Sequence, residues 1–156
     1  MFEEIADLLT YIKQSEIEGT NKNKTLLLGV ISEEISLKIK EDSGIDIRGY
    51  NISIDAYGIK HVLQGHGDKK RENARGQQAV TENDFTMLFQ IINQPDDVFF
   101  DGKDKFGRYC FQFQIQKEHK YVVIMEVRIG RKQLTLKTMR VFTTKKENQN
   151  INLDSL

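Results

Sequence analysis

The chain has 156 residues, 38% apolar and 29% charged, with no Trp and one Pro; this excludes a disordered polar chain or a fibrous repeat, and one domain burying roughly two thirds of its unfolded surface is expected. No apolar run reaches the length of a membrane span, Glu3, Glu4 and Asp7 carry the wrong charge for a secretory leader, and the lone Cys110 has no internal partner for a disulfide, so the sequence reads as cytoplasmic, from a reducing compartment. The 23 basic and 23 acidic side chains cancel, yet residues 101–140 hold 10 Lys and Arg against 4 Asp and Glu, which suits either an anionic partner or ordinary solvated strand lysines.

Phe2, Ile5, Leu8, Leu9 and Ile12 recur at helical spacing behind an acidic first turn and predict an amphipathic helix over residues 2–18, ending near Gly19. The run TLLLGVI from Thr25 to Ile31 reads as a short buried strand or extended segment. Ser32 caps a helix that Gly44 stops, and Asn51 to Ile54 is a second extended run before Asp55 caps a helix beginning at Ala56. Thr81 and Asp84 open a further helix with Phe85, Leu88, Phe89 and Ile92 inward, closed by Asn93-Gln94-Pro95.

Beyond Pro95 the hydrophobic period changes from helical to alternating. Asp97 to Phe100 is extended, Tyr109, Phe111, Phe113 and Ile115 alternate strictly, and turns at 117–120 and 130–131 lead into YVVIMEVRI and KQLTLKTMRVF. The fold class is therefore α+β, with N-terminal helices packed on one face of a C-terminal antiparallel meander of three to four strands. Residues 1–142 form a single domain, and 143–156 read as a frayed polar tail.

No Gly-rich phosphate fingerprint, CxxC pair, HExxH or GxSxG occurs, which directs attention to the histidines and the sheet. In HVLQGHGD, His66 shares a helix face with Ile59, Val62 and Leu63, while His61 points away from it. His66 sits between Gly65 and Gly67 at the helix C-terminus, where a cation complements the dipole; that place suits a general acid, a phosphate-binding group or a structural cap alike. A metal site from His61, His66 and Asp68 has poor spacing, and Cys110 with His119 lacks any local nucleophile signature. On the outer face of the meander, Gln112, Gln114, Glu126, Arg128 and Lys137 form either a polar patch with a function or a solvated sheet face. Strict alternation puts Thr138 with Leu134 and Leu136, away from Lys137, unless a bulge intervenes.

Four segments, IKHVLQGHGD at 59–68, VTENDFTMLFQIINQPDDV at 80–98, YVVIMEVR at 121–128 and LTLKTMRV at 134–141, resemble in kind and order the phage-associated barnase/EndoU/colicin/RelE-like (BECR) nuclease domains. Gly65 stands where that family often has a basic residue before its second His. The resemblance implies a metal-independent endoribonuclease, toxin- or effector-like, in which a base activates the ribose 2′-hydroxyl, an acid protonates the leaving oxygen and cations hold the phosphate. It implies acid, base or phosphate-positioning roles for His61 and His66, with His66 as acid and His61 as base. Arg128 and Lys137 would be the electrostatic groups, Thr138 a phosphate hydrogen bond and Glu126 an alternative base. RNA, including tRNA, and a cognate inhibitor are the implied partners, with no cofactor and no metal. The alternatives are a non-catalytic nucleic-acid-binding or phage structural module and an antitoxin- or immunity-like interaction domain.

Overall fold

The computed structural model describes residues 4–20 and 22–143. The polar tail expected from 143 lies, apart from Thr143, outside the described residues, as does Phe2. Helix α1 (Ile5–Glu18) opens with a reciprocal pair of hydrogen bonds between Glu4 and Asp7 and ends on Gly19 in the left-handed region. Helix α2 (Glu33–Ser43) is capped by the Ser32 hydroxyl, which accepts from the Ile35 N–H, and closed by left-handed Gly44. Both ends follow from residue chemistry: a short oxygen side chain satisfies an orphan N–H, and glycine takes a positive φ without a Cβ clash. No described helix is long and apolar enough to cross a membrane.

Strands β1 (Thr25–Val30) and β2 (Asn51–Asp55) form an antiparallel pair. Helices α3 (Ala56–His66) and α4 (Lys69–Ala74) and a two-residue strand β3 (Gln77–Gln78) follow. The predicted Thr81 helix is in fact a 3₁₀ segment (Glu82–Met87) running into helix α5 (Leu88–Asn93). Phe85, Leu88 and Ile92 are buried as expected, but Phe89 is half exposed, its ring lying over Gly29 where a Cβ would collide with it. Asp84, which caps the 3₁₀ segment, also accepts a 2.8 Å hydrogen bond from the Tyr121 hydroxyl. Burial and that bond push the phenol well above its ordinary pKa.

Strands β4 (Asp97–Lys103), β5 (Tyr109–Gln116), β6 (Lys120–Arg128) and β7 (Gln133–Phe142) are the expected antiparallel meander. The sheet is larger than the meander, because β1 and β2 extend it in the order β1-β2-β7-β6-β5-β4. The β2–β7 pairing is parallel, through residues 51–53 and 133–135, while β3 pairs antiparallel with the far end of β7. Short extended runs separated by a helix carry no signal of their pairing partner, so periodicity missed this mixed topology.

Phe111, Phe113, Ile115, Tyr121, Val123, Met125, Leu134 and Leu136 are buried against the helices, with Tyr109 packed at the margin. On β7 the alternation breaks: Leu136 pairs with Met125 and Thr138 with Ile124, leaving Lys137 as the extra residue of a β-bulge. Past the bulge Met139 and Val141 become the buried residues. Thr138 therefore leaves the face of Leu134 and Leu136 and joins Lys137 on the opposite one, reversing the parity that strict alternation assigns.

Phe111 is fully buried, so Phe111→Ala should lower stability by about 3 to 5 kcal/mol in denaturant melts. A neutral result would show that the helix-facing side of β5 has been misassigned.

Candidate active site

The structure brings one wall of α3, the β4–β5 turn and the outer face of β6 and β7 around a cleft of about 560 Å³, within the size range of ligand sites. Its wall carries Tyr57, Gly58 and His61, its floor Glu126, Arg128, Leu136 and Lys137, and its rim Asp104, Lys105, Phe106 and Arg108. Of the residues singled out in the sequence, His61, Glu126, Arg128 and Lys137 meet here.

Helix α3 reaches this position because its cap is also part of the site. Asp55 Oδ1 accepts the Gly58 N–H at 2.7 Å, while Oδ2 lies 3.2 Å from Asn23 Nδ2 and 3.3 Å from an Arg128 guanidinium nitrogen. A Cβ on Gly58 would stand 2.9 Å from Asp55 Oδ1 and 3.1 Å from the Leu136 carbonyl oxygen. Glycine thus lets the first turn of α3 lie directly on β7. With Ile59 and Val62 buried, His61 is exposed on the cleft side.

Glu126 is gripped twice. Arg108 donates to Oε2 at 3.0 Å and Arg128 to Oε1 at 3.1 Å, and the carboxylate side chain is only 9% exposed. Lys137 Nζ lies 3.1 Å from Asp104 Oδ2. The other oxygen of Asp104 accepts the N–H groups of Phe106 (2.8 Å) and Arg108 (3.0 Å), folding the β4–β5 turn over the cleft. The Arg108 N–H, followed by the Lys137 side chain and the Phe106 N–H, holds the Asp104 carboxyl below the ordinary carboxylate range against the effect of desolvation.

The other residues singled out lie elsewhere. His66 Nδ1 is 2.8 Å from Oε1 of the fully buried Glu72, with Arg75 at 3.5 Å from the same oxygen. Its ring therefore ties the end of α3 to α4 and does not line the cleft. Thr138 sits beside the bulge, partly buried, and is not a lining residue either. Cys110 is a buried free thiol paired across the ladder with Glu126, and burial raises its pKa. Among the described residues no group of three or more His, Cys, Asp or Glu is placed to hold a metal ion.

Asn23, Asp104, Lys105 and Phe106 are cleft residues that the sequence does not single out, and Asp55 reads there only as a helix cap. The signal for Asp104 was present in DKFGR, an Asx-turn pattern with glycine at the left-handed position. Nothing local in Asn23 announces that it braces a carboxylate 32 positions away.

A family model described as phage-Barnase-EndoU-ColicinE5/D-RelE like nuclease3 matches residues 29–149, well over half of the chain. No curated protein and no solved structure matches it.

Because Asp104 has a lowered pKa when folded, the folded protein binds that proton more weakly than the unfolded chain does. Its contribution is full once pH exceeds the unfolded value of about 4 and fades as pH falls through the folded one. The stability gap between the parent and Asp104→Asn should accordingly shrink between pH 7 and 3 in thermal melts. A gap constant over that range would contradict the ionic role of this carboxylate.

Proposed function

The chain belongs to this phage-associated barnase/EndoU/colicin/RelE-like nuclease family, and from that premise we propose that it is a metal-independent endoribonuclease whose site is the α3–β6–β7 cleft. The observation that carries the reading is the meeting of His61, Glu126, Arg108, Arg128 and Lys137 in one cavity, although they come from four different segments of the chain. It supplies a proton acceptor, a proton donor and three cations, which is what phosphodiester transfer to a neighbouring hydroxyl requires.

RNA brings its own nucleophile. The ribose 2′-oxygen attacks the adjacent phosphorus as its proton passes to a base, the phosphorus–O5′ bond breaks, and an acid delivers a proton to the departing O5′. The products are a 2′,3′-cyclic phosphate and a 5′-hydroxyl. Glu126 on the sheet floor and His61 on the helix wall are the acid–base pair that this cleft offers. Arg108, Arg128 and Lys137 stabilise the charge gathering on the phosphate oxygens. The acid role that the sequence offered to His66 passes to His61, because His66 is occupied with Glu72; His66 then acts as a positioning residue for the end of α3. Thr138 does not line the cleft and is given no part in the reaction. Each cleft carboxylate is already engaged by Arg, Lys or Asn, which favours a cation-based mechanism over a metal cage. The reading makes the protein toxin- or effector-like, with RNA, tRNA included, as substrate and an inhibitor protein as a natural counterpart.

Incubation of the protein with total RNA and tRNA in EDTA should give fragments ending in 2′,3′-cyclic phosphate, identified by mass spectrometry. His61→Ala and Glu126→Gln should each slow cleavage by about 10² to 10⁴ with folding retained, and His66→Ala should cost less. Loss of cleavage in EDTA, or undiminished cleavage by His61→Ala, would overturn the mechanism. RNA binding that weakens with salt but leads to no cleavage would identify a non-catalytic binding module instead.

A further inference from the structure

Phe106 is 71% exposed, at the rim of the cleft. Single exposed apolar side chains are common on protein surfaces and by themselves signify nothing. This one differs in its support. Its N–H is held by Asp104 Oδ1, the Asp104 N–H donates to the Arg108 carbonyl at 2.9 Å, and the Gly107 N–H donates to the Asp104 carbonyl at 3.0 Å. The carboxylate that shapes the turn is itself anchored by Lys137, so the backbone that carries the ring is tied to the cleft floor. Lys105 Nζ lies 5.2 Å and the Arg108 guanidinium carbon 5.6 Å from the ring centroid.

Resting on the ribonuclease reading above, we propose that Phe106 is a stacking platform for an unpaired nucleobase, which directs the enzyme to single-stranded or looped RNA. Aromatic side chains interleaved with cations are the general chemistry of single-strand binding: the ring covers a base face while the cations meet the flanking phosphates. A duplex hides its base faces in the stack and gains nothing from such a ring. The path continues past the stacked base, because a second cavity of about 380 Å³ shares Arg108 and Arg128 with the first and adds Tyr109, Ile129 and Arg131. The neighbouring nucleotide has both an apolar surface and a further cation there.

The test compares the parent, Phe106→Ala, Phe106→Trp and Lys105→Ala by fluorescence anisotropy. The probes are a 2′-O-methyl oligoribonucleotide, whose nucleophile is blocked, and the duplex formed with its complement. Phe106→Ala should weaken single-strand binding by about 5- to 150-fold, the usual span for loss of one base–aromatic stack. Phe106→Trp should retain that binding, and duplex affinity should not move. Since no phosphate contact is lost, the salt dependence of Phe106→Ala should match the parent, whereas Lys105→Ala should flatten it. Unchanged single-strand binding in Phe106→Ala, or equal losses on both probes, would overturn the inference while leaving the ribonuclease reading standing. A parent that binds neither probe would overturn the ribonuclease reading and this inference with it.

Discussion

One guanidinium organises the molecule around the cleft. Arg128, at the end of β6, lies between Asp55 at the end of β2 and Glu126 on its own strand, with a side chain only 19% exposed. Asp55 in turn starts α3, and Glu126 holds Arg108 at the mouth of β5. A single cation therefore sets a helix, two non-adjacent strands and a turn in one arrangement. Buried ion pairs add little net stability, because desolvation offsets most of the attraction, but removing one partner typically costs about 3 to 5 kcal/mol. The pairing thus restricts geometry more than it strengthens the fold, and geometry is what places His61 opposite the sheet floor.

The same pairing governs what enters. Arg108, Arg128 and Lys137 face Glu126, Asp55 and Asp104, so the paired charges of the cleft cancel and its excess positive charge falls to Lys105 on the rim. An incoming phosphate must share cations that already have partners. Arg128 Nε, buried and without a hydrogen-bond partner among the described residues, is donor capacity beyond what that network uses. A site of this kind is preorganised, since its donors are held in place before substrate arrives.

Local chemistry made much of the structure legible. Ser32, Gly44, Asp55 and Gly19 mark helix ends because capping is decided within four residues, and the alternation from Tyr109 to Ile115 marks a half-covered strand for an equally local reason. Pairing is not local: nothing in TLLLGV or NISID names β7 as the neighbour of β2. The site divides the same way. His61, Glu126, Arg128 and Lys137 carry recognisable chemistry, whereas Asn23 and Asp104 gain theirs from where the chain folds them. His66 shows the converse, a chemically promising side chain taken up by Glu72, six residues on, which no local pattern marks as its partner.

The bulge at Lys137 makes β7 a strand with two reading frames. Upstream of it the even-numbered Leu134 and Leu136 face the core; downstream the odd-numbered Met139 and Val141 do. Straightening β7 with all ten of its residues kept would turn Thr138 and Arg140 toward the helices in place of Met139 and Val141, whereas deleting residue 137 would merge the frames with Met139 and Val141 still inward. The bulge is consequently the place where β7 holds one residue more than its core register needs, and that residue is the lysine of the cleft floor. The cleft thus owes its lysine to an irregularity of the strand, and a β7 without that extra residue would keep the core and lose that cation from the floor.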